Sequence, residues 1–196
     1  METKNTIPLW LAVAITVCVS LPFGLWLNNW NLPLWASFIV WAEYFLLGAS
    51  PQGLKIMVPS YILGAIGAVL VLIFMVALQK AIPDVSLVSA TDIAIAIAFF
   101  IGFCIVLYAM KWMPVTGGAG TLPFFNGISM GLATFFVGIY FTYGGMKVDD
   151  LLVPIVTGIP AILAGLLGAF LGWFNVTILF PRVVTKTQSA HQPAHV

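Results

Sequence analysis

Six apolar stretches occupy most of this chain, and they decide what it can fold into. They cover residues 7–27, 34–49, 57–78, 92–110, 122–143 and 152–174. A helix needs about 20 apolar residues to cross a bilayer, with a range of about 17–25. The second stretch is short, which predicts a tilted, broken or locally thinned crossing. Only 7% of the residues are charged, against about a quarter in soluble domains. The sequence therefore predicts an all-α membrane protein with six transmembrane helices in one domain, residues 1–180.

The connections between these spans are short and polar, and they leave no room for a soluble domain. The first span lacks a strongly basic start and an evident cleavage site, so we expect a retained helix rather than a signal peptide. Residues 181–196 are polar and predict a mobile cytoplasmic tail. Lysine and arginine are more frequent on the side that carries both termini, which favours cytoplasmic termini. That side carries Lys4, Lys55, Lys111, Arg182 and Lys186, and the other carries Lys80 and Lys147.

Short motifs recur along the chain at an offset that drifts from 86 to 95 residues. The resulting units, about 7–80 and 92–176, hold three spans each. An odd number of spans forces the second unit to insert upside down, as in the inverted repeats of many transporters. We therefore expect two inverted three-helix repeats, although such motifs also recur by chance at membrane borders. The matches are Cys18 with Cys104, Leu32-Pro33-Leu34-Trp35 with Leu122-Pro123-Phe124-Phe125, Gly53-Leu54-Lys55 with Gly145-Met146-Lys147, and Val58-Pro59 with Val153-Pro154.

Glu43 is the only charged residue in the apolar run from Leu34 to Ala49. A charge at the bilayer centre costs about 3–10 kcal/mol, so such a carboxylate faces a cavity or a partner, or stays protonated. No lysine or arginine lies mid-span, and a hydrogen bond to Tyr, Trp, Ser or Asn is expected instead. The repeat places Glu43 opposite Ala133, which shares a helix face with Asn126. Two interpretations remain open, a solute pathway and a structural contact within or between subunits.

A glycine-rich segment, PVTGGAGTLPFFNG at residues 114–127, opens the fifth span. Non-helical backbone at membrane depth is tolerated only where it is buried in protein or lines a water-filled cavity. For residues 114–120 we favour an ordinary loop, and for Thr121 to Asn126 a role in the pathway. Gln52 lies at the corresponding break after the second span. The candidate pathway residues are Glu43, Tyr44, Phe45, Gln52, Thr121, Phe124, Phe125, Asn126, Ser129 and Tyr140.

The chain lacks the motifs that carry enzyme chemistry, such as a Walker loop or a dinucleotide fingerprint. His191 and His195 lie in the tail, and Cys18 and Cys104 are isolated in apolar spans, where we expect packing rather than a disulfide or metal site. We expect no enzyme activity, no cofactor, no metal and no nucleic acid. The Gly127-x3-Gly131 and Gly168-x3-Gly172 patterns predict close helix packing, and a chain this small favours a homo-oligomer.

Two resemblances follow from short motifs. Trp35-Ala36-Ser37-Phe38, Tyr44-Phe45 and Pro51-Gln52-Gly53-Leu54-Lys55 resemble the YcdZ-like family of bacterial inner-membrane proteins of unknown function. That resemblance implies a bacterial cytoplasmic membrane and no particular substrate. Thr121-Leu122-Pro123-Phe124 is similar to the helix starts of urea transporters, which implies a slot for a flat polar molecule.

The function expected from these observations is a channel or facilitator for a small polar solute, such as urea, an amide, ammonia or a small organic acid. The aromatic candidates Tyr44, Phe45, Phe124 and Phe125 would form constrictions, and Asn126 and Ser129 would bind the solute. The alternatives are a proton-coupled transporter in which Glu43 carries the proton, and a membrane scaffold without transport.

Overall fold

The computed structural model describes residues 2–82, 89–139, 148–179 and 181–184, and this part of the chain is helical apart from one short β ribbon. Each predicted span coincides with a helix. The helices are α1 Leu9–Leu25, α2 Leu34–Leu46, α3 Pro51–Ala81, α4 Ala90–Ala109, α5 Thr121–Val137 and α6 Val153–Ile178. Short 3-10 turns occupy Asn28–Trp30, Met110–Trp112, Pro114–Thr116 and Gly118–Gly120. The ribbon pairs β1 Glu2–Asn5 antiparallel with β2 Pro181–Val184.

Local sequence signals account for several helix ends. Ser50 caps α3 by accepting a hydrogen bond from the Gly53 N–H at 3.2 Å, and Pro51 follows at the first helical position, where a missing N–H costs nothing. Ser89 caps α4 in the same way, by accepting from the Asp92 N–H at 3.1 Å. Gly138 ends α5 with a φ of 74°, a left-handed conformation that glycine adopts without strain.

Four stretches are long and apolar enough to cross a membrane on their own: Pro51–Ala81, Asp92–Trp112, Gly118–Val137 and Val153–Ile178. Helices α1 and α2 pass the same test only as a joined pair, and that pair is bent by 118°. At 13 residues, α2 is about 20 Å long and falls short of a full crossing. The prediction of six separate spans is therefore reduced to four spans and one broken pair.

Two segments near the ends of the described chain lie side by side. The Thr6 N–H donates to the Leu179 carbonyl oxygen at 3.0 Å, just inside the β1–β2 ribbon. The start of α1 and the end of α6 therefore lie at the same end of the bundle.

Neighbouring helices approach one another at small residues. Helix α5 runs parallel to α3, since Gly120 lies at Ser60 and Gly131 lies at Ala68. Helix α6 runs parallel to α2, with Gly168 at Ser37 and Gly172 at Tyr44. Helices α3 and α6 cross in opposite directions, because Val69 meets Gly158 while Tyr61 meets Gly165. The close packing predicted at the Gly-x3-Gly patterns is confirmed.

The helix bounds do not support one match of the expected repeat. Pro154 is the second residue of α6, whereas Pro59 lies well inside α3, so these two prolines do not occupy equivalent positions. Pro160 lies inside α6, as Pro59 lies inside α3, and several residues that follow the two prolines are identical at an offset of 101 positions. The matched pairs are Pro59 with Pro160, Gly64 with Gly165, Gly67 with Gly168, Ala68 with Ala169, and Leu70 with Leu171. The counterpart proposed for Gly53-Leu54-Lys55, at residues 145–147, lies outside the described residues.

The cysteines differ from the prediction. Cys18 on α1 and Cys104 on α4 are free and exposed on the outside of the helices. We had expected both cysteines to pack in the core because their surroundings in the sequence are apolar, and they do not. Hydropathy alone cannot separate the two cases, because side chains that face lipid are as apolar as side chains that face the core.

Asp149 and Asp150 lie before α6 and pair with Lys80 at the end of α3. The Lys80 Nζ atom is 3.7 Å from Asp149 Oδ1 and 3.4 Å from Asp150 Oδ2, with side-chain exposures of 47%, 63% and 75%. Solvent screens ion pairs this exposed. The two aspartates therefore lie at the surface.

We expect Lys80→Gln to lower the free energy of unfolding by less than about 1 kcal/mol, because exposed ion pairs contribute roughly 0–1 kcal/mol. Thermal unfolding of the purified protein in detergent, followed at low and high salt, measures the effect. A large loss of stability that persists at high salt would show that the ion pair contributes more to the free energy of unfolding than an exposed, screened pair does.

Candidate functional site

The carboxyl group of Glu43 lies inside the helical bundle. Its side chain is only 1% exposed on α2. The Nδ2 atom of Asn126, on α5, donates a hydrogen bond to Glu43 Oε1 at 3.1 Å. The sequence had predicted a hydrogen bond to a neutral partner, and Asn126 was among the candidate residues. The structure therefore brings two predicted residues from distant parts of the chain into direct contact.

One carboxyl oxygen of Glu43 has no partner. Oε2 is buried without a hydrogen bond, and within the described residues Glu43 forms no ion pair. Buried polar atoms in proteins nearly always find a partner. An oxygen that lacks one marks a place where water or a solute would be stabilised by binding.

Tyr61 on α3 is buried and was not predicted. Its hydroxyl group donates to the Ala161 carbonyl oxygen of α6 at 2.9 Å, and its ring fills the space left by Gly165. Tyr61 therefore joins α3 to α6.

We expect Tyr61→Phe to destabilise the protein by about 1 kcal/mol, the usual net contribution of one hydrogen bond. The Ala161 carbonyl lies within α6, so the loss stays modest. Thermal unfolding of the variant beside wild type measures it. An unchanged midpoint would mean that the Tyr61–Ala161 bond does not hold α3 against α6.

The aromatic candidates divide into buried and exposed residues. Tyr44 and Phe124 are almost fully buried; Tyr44 packs against Gly172, and Phe124 packs with Ala68 and Ile128. Phe45 and Phe125 are 38% and 43% exposed on the outside of the bundle. Phe45 and Phe125 therefore do not face the interior together with Tyr44 and Phe124, because neighbouring positions on a helix point in different directions.

The remaining polar candidates lie away from Glu43. Gln52 is exposed in the first turn of α3. The Thr121 hydroxyl donates to the Thr116 carbonyl at 3.2 Å, and the Ser129 hydroxyl donates to the Phe125 carbonyl at 2.9 Å. Tyr140 lies outside the described residues.

The glycine-rich segment before α5 is packed at Thr116 and Gly120 and exposed between them, at residues 117–119. The Ser60 hydroxyl donates to the Gly120 carbonyl oxygen, and a Cβ on Gly120 would overlap the Val115 carbonyl oxygen. Thr116 is buried and donates back to the Met113 carbonyl at 2.8 Å. The contact at Gly120 joins the start of α5 to α3.

Three surface pockets of the described chain lie away from the Glu43–Asn126 contact. One of about 340 Å³ is lined by residues that include Gln79, Lys80 and Asp150, at the end of α3. Two apolar grooves, of about 330 and 170 Å³, lie on the outside of the bundle, between α3 and α6 and between α3 and α4. Glu43 lines none of these three pockets.

A further set of buried polar residues was missed. The Asn175 Nδ2 atom on α6 donates to Thr16 Oγ1 on α1 at 2.9 Å. Ser37 and Trp41 on α2 are also buried. The available signal was the presence of Asn175 in an apolar span, because an amide in hydrocarbon needs a partner.

No protein-family model matches the chain, and no curated protein or solved structure is significantly similar to it. The resemblance to the YcdZ-like family therefore rests on short motifs, and functional inference starts from the geometry of the site.

Proposed function

We propose that this chain is a membrane channel or facilitator for a small polar solute. The observation that carries the proposal is the buried Glu43 carboxyl group, which is held by Asn126 through one oxygen and is unpartnered at the other. Ionisable residues at membrane depth mark solute and ion pathways more often than structural contacts. A polar solute could take the place at Oε2 that no protein group fills.

The helix arrangement supports two inverted repeats, α1–α3 and α4–α6. Exchanging the repeats converts the α3–α5 pair into the α6–α2 pair, and both pairs are parallel and packed at glycines. The same exchange maps α2 onto α5, so the Glu43–Asn126 contact lies between equivalent helices, near the axis that relates the repeats. Inverted-repeat transporters bind their substrates at this place.

A structural role explains the same carboxyl group less well. A leucine would fill the position without the cost of taking a carboxyl group out of water, and buried polar contacts are often no more stabilising than apolar ones of similar volume. A chain selected only for packing gains nothing from Glu43. A pathway gains a polar group at its narrowest part.

A proton-coupled transporter is the second candidate. The observation in its favour is that Glu43 has no cationic partner among the described residues. A carboxyl group without a fixed counter-charge can gain and lose a proton as the two repeats move against each other.

We further propose that the chain resides in a bacterial inner membrane as a homo-oligomer with cytoplasmic termini. The excess of lysine and arginine on the side of the termini supports this orientation.

The test is solute uptake by liposomes that contain the purified chain. Urea, acetamide, glycerol, ammonium, formate and acetate are added in turn, at mildly acidic and at neutral pH. A channel gives rapid uptake down the solute gradient without an imposed proton gradient. Uptake only under a proton gradient supports the transporter, and no uptake of any solute by folded protein contradicts both.

A further inference from the structure

A second set of buried polar groups lies on the face of α2 that packs against α6. Ser37 and Trp41 are one helical turn apart on this face. Ser37 lies against Gly168, and Trp41 packs with Leu171. Glu43 points to a different side, towards α5. Helix α2 therefore carries buried polar side chains on two faces.

Three polar atoms of this second set have no partner among the described residues. They are the Trp41 Nε1–H donor, the Asn175 Oδ1 acceptor and the Ser37 hydroxyl. Trp41 is 6% exposed, and Ser37 and Asn175 are fully buried. Buried donors and acceptors nearly always have partners, so each of these atoms is a place where a small polar molecule would be stabilised.

Helices α1, α2 and α6 meet beside these residues, in a region that we call the wedge. Trp41 of α2 forms a buried cluster with Leu167 and Leu171 of α6, and Val13 and Val17 of α1 pack against that cluster. Asn175 lies one turn beyond Leu171 and bonds to Thr16, the neighbour of Val17. The unpartnered donor and the unpartnered acceptor therefore come from two helices that line the same wedge.

We propose that this wedge binds a small neutral solute of the amide class, urea included. The solute's carbonyl oxygen accepts from Trp41 Nε1–H, and its N–H donates to Asn175 Oδ1. Thr16, Ser37, Trp41 and Asn175 carry no charge, and an anion would be repelled by the Asn175 carbonyl oxygen. This inference rests on the proposed function and names its substrate class. It gives the pathway two polar positions, one on each side of α2.

The binding test uses the full chain in lipid nanodiscs with 5-fluorotryptophan at all seven tryptophans. Trp41→Phe identifies the Trp41 fluorine signal. Acetamide is then titrated into wild type, Asn175→Leu and Leu46→Ala. We expect a saturable shift of the Trp41 signal in wild type and in a control variant at an exposed position of the same helix, Leu46→Ala (Leu46 is 74% exposed), and about tenfold weaker binding in Asn175→Leu, the scale of one buried hydrogen bond. The lipid-facing Trp10 and Trp26 signals, 71% and 72% exposed, should not saturate.

A Trp41 signal that does not move at molar acetamide overturns the inference, because the wedge then holds water only. The inference is also overturned if acetamide binds Asn175→Leu as tightly as it binds wild type. If Asn175→Leu does not fold, Thr16→Val replaces it, since losing the Thr16 hydroxyl frees the Asn175 side chain to turn away. Liposome uptake of acetamide separates the two proposals. Uptake without a Trp41 shift contradicts this inference alone, and a Trp41 shift without uptake contradicts the proposed function alone.

Discussion

Gly127→Ala should destabilise the protein by about 3 kcal/mol, at the upper end of the cost of overpacking. A Cβ on Gly127 would overlap the Tyr61 carbonyl oxygen and lie 2.8 Å from the Ala65 backbone nitrogen. Both obstacles belong to the backbone of α3 and cannot rotate away. The whole α5 helix would have to move outward, and with it Asn126, the neighbour of Gly127 that holds Glu43.

The matched control is Gly117→Ala, in the segment before α5. A Cβ on Gly117 has its nearest neighbour, the Pro114 carbonyl oxygen, at 3.6 Å, an ordinary contact distance. Its φ of −92° suits any residue. Thermal unfolding in detergent should give a clearly lower midpoint for Gly127→Ala and no change for Gly117→Ala. Equal midpoints for the two variants would disprove the close α3–α5 contact.

Glu43→Leu should strongly reduce solute uptake with little loss of stability. Leucine removes a carboxyl group whose Oε2 is buried and unpartnered, but it also leaves the Asn126 Nδ2 donor without its acceptor. We therefore expect the free energy of unfolding to fall by no more than about 1 kcal/mol, the usual contribution of one hydrogen bond. Uptake by liposomes should fall at least about tenfold, since the pathway loses its central polar group, and tenfold is about 1.4 kcal/mol of barrier. Glu43→Gln keeps an oxygen that accepts from Asn126 and should therefore retain the geometry of the site.

Leu46→Ala is the control for this experiment, because Leu46 is 74% exposed on the same helix. Its uptake should match that of wild type. Normal uptake by Glu43→Leu would contradict the proposed role of Glu43 in the solute pathway. A Glu43→Leu variant that failed to fold would instead assign Glu43 to the structural role that the sequence left open.

The sequence predicted the helices better than the topology. Apolar length and capping residues such as Ser50 act locally, so the positions of the six helices could be found without a structure. Whether α1 and α2 each cross the membrane depends on the 118° bend between them. Helix α2 also packs against α6 at Gly168 and Gly172, and the sequence pattern predicts close packing there but not which helix is the partner.

The site was predicted in part for a related reason. Glu43 is conspicuous because a carboxyl group in hydrocarbon is costly, and Asn126 followed from its place on the expected facing helix. Tyr61 and Trp41 escaped notice because buried and lipid-facing aromatic residues look alike in an apolar span. Phe125 was wrongly expected to face the interior with Phe124. Neighbouring residues on a helix point in different directions, and Phe125 is exposed.

The central claim is that the Glu43–Asn126 contact lies on a path open to water and solute, and thiol accessibility tests it most directly. Asn126→Cys is prepared in a background without Cys18 and Cys104, beside Phe125→Cys, which has nearly the same depth but is exposed on the outside of the bundle. A water-soluble methanethiosulfonate reagent should modify Asn126→Cys, more slowly when the transported solute is present, and should leave Phe125→Cys unmodified. An Asn126→Cys protein that still takes up solute but cannot be modified from either side would contradict the account.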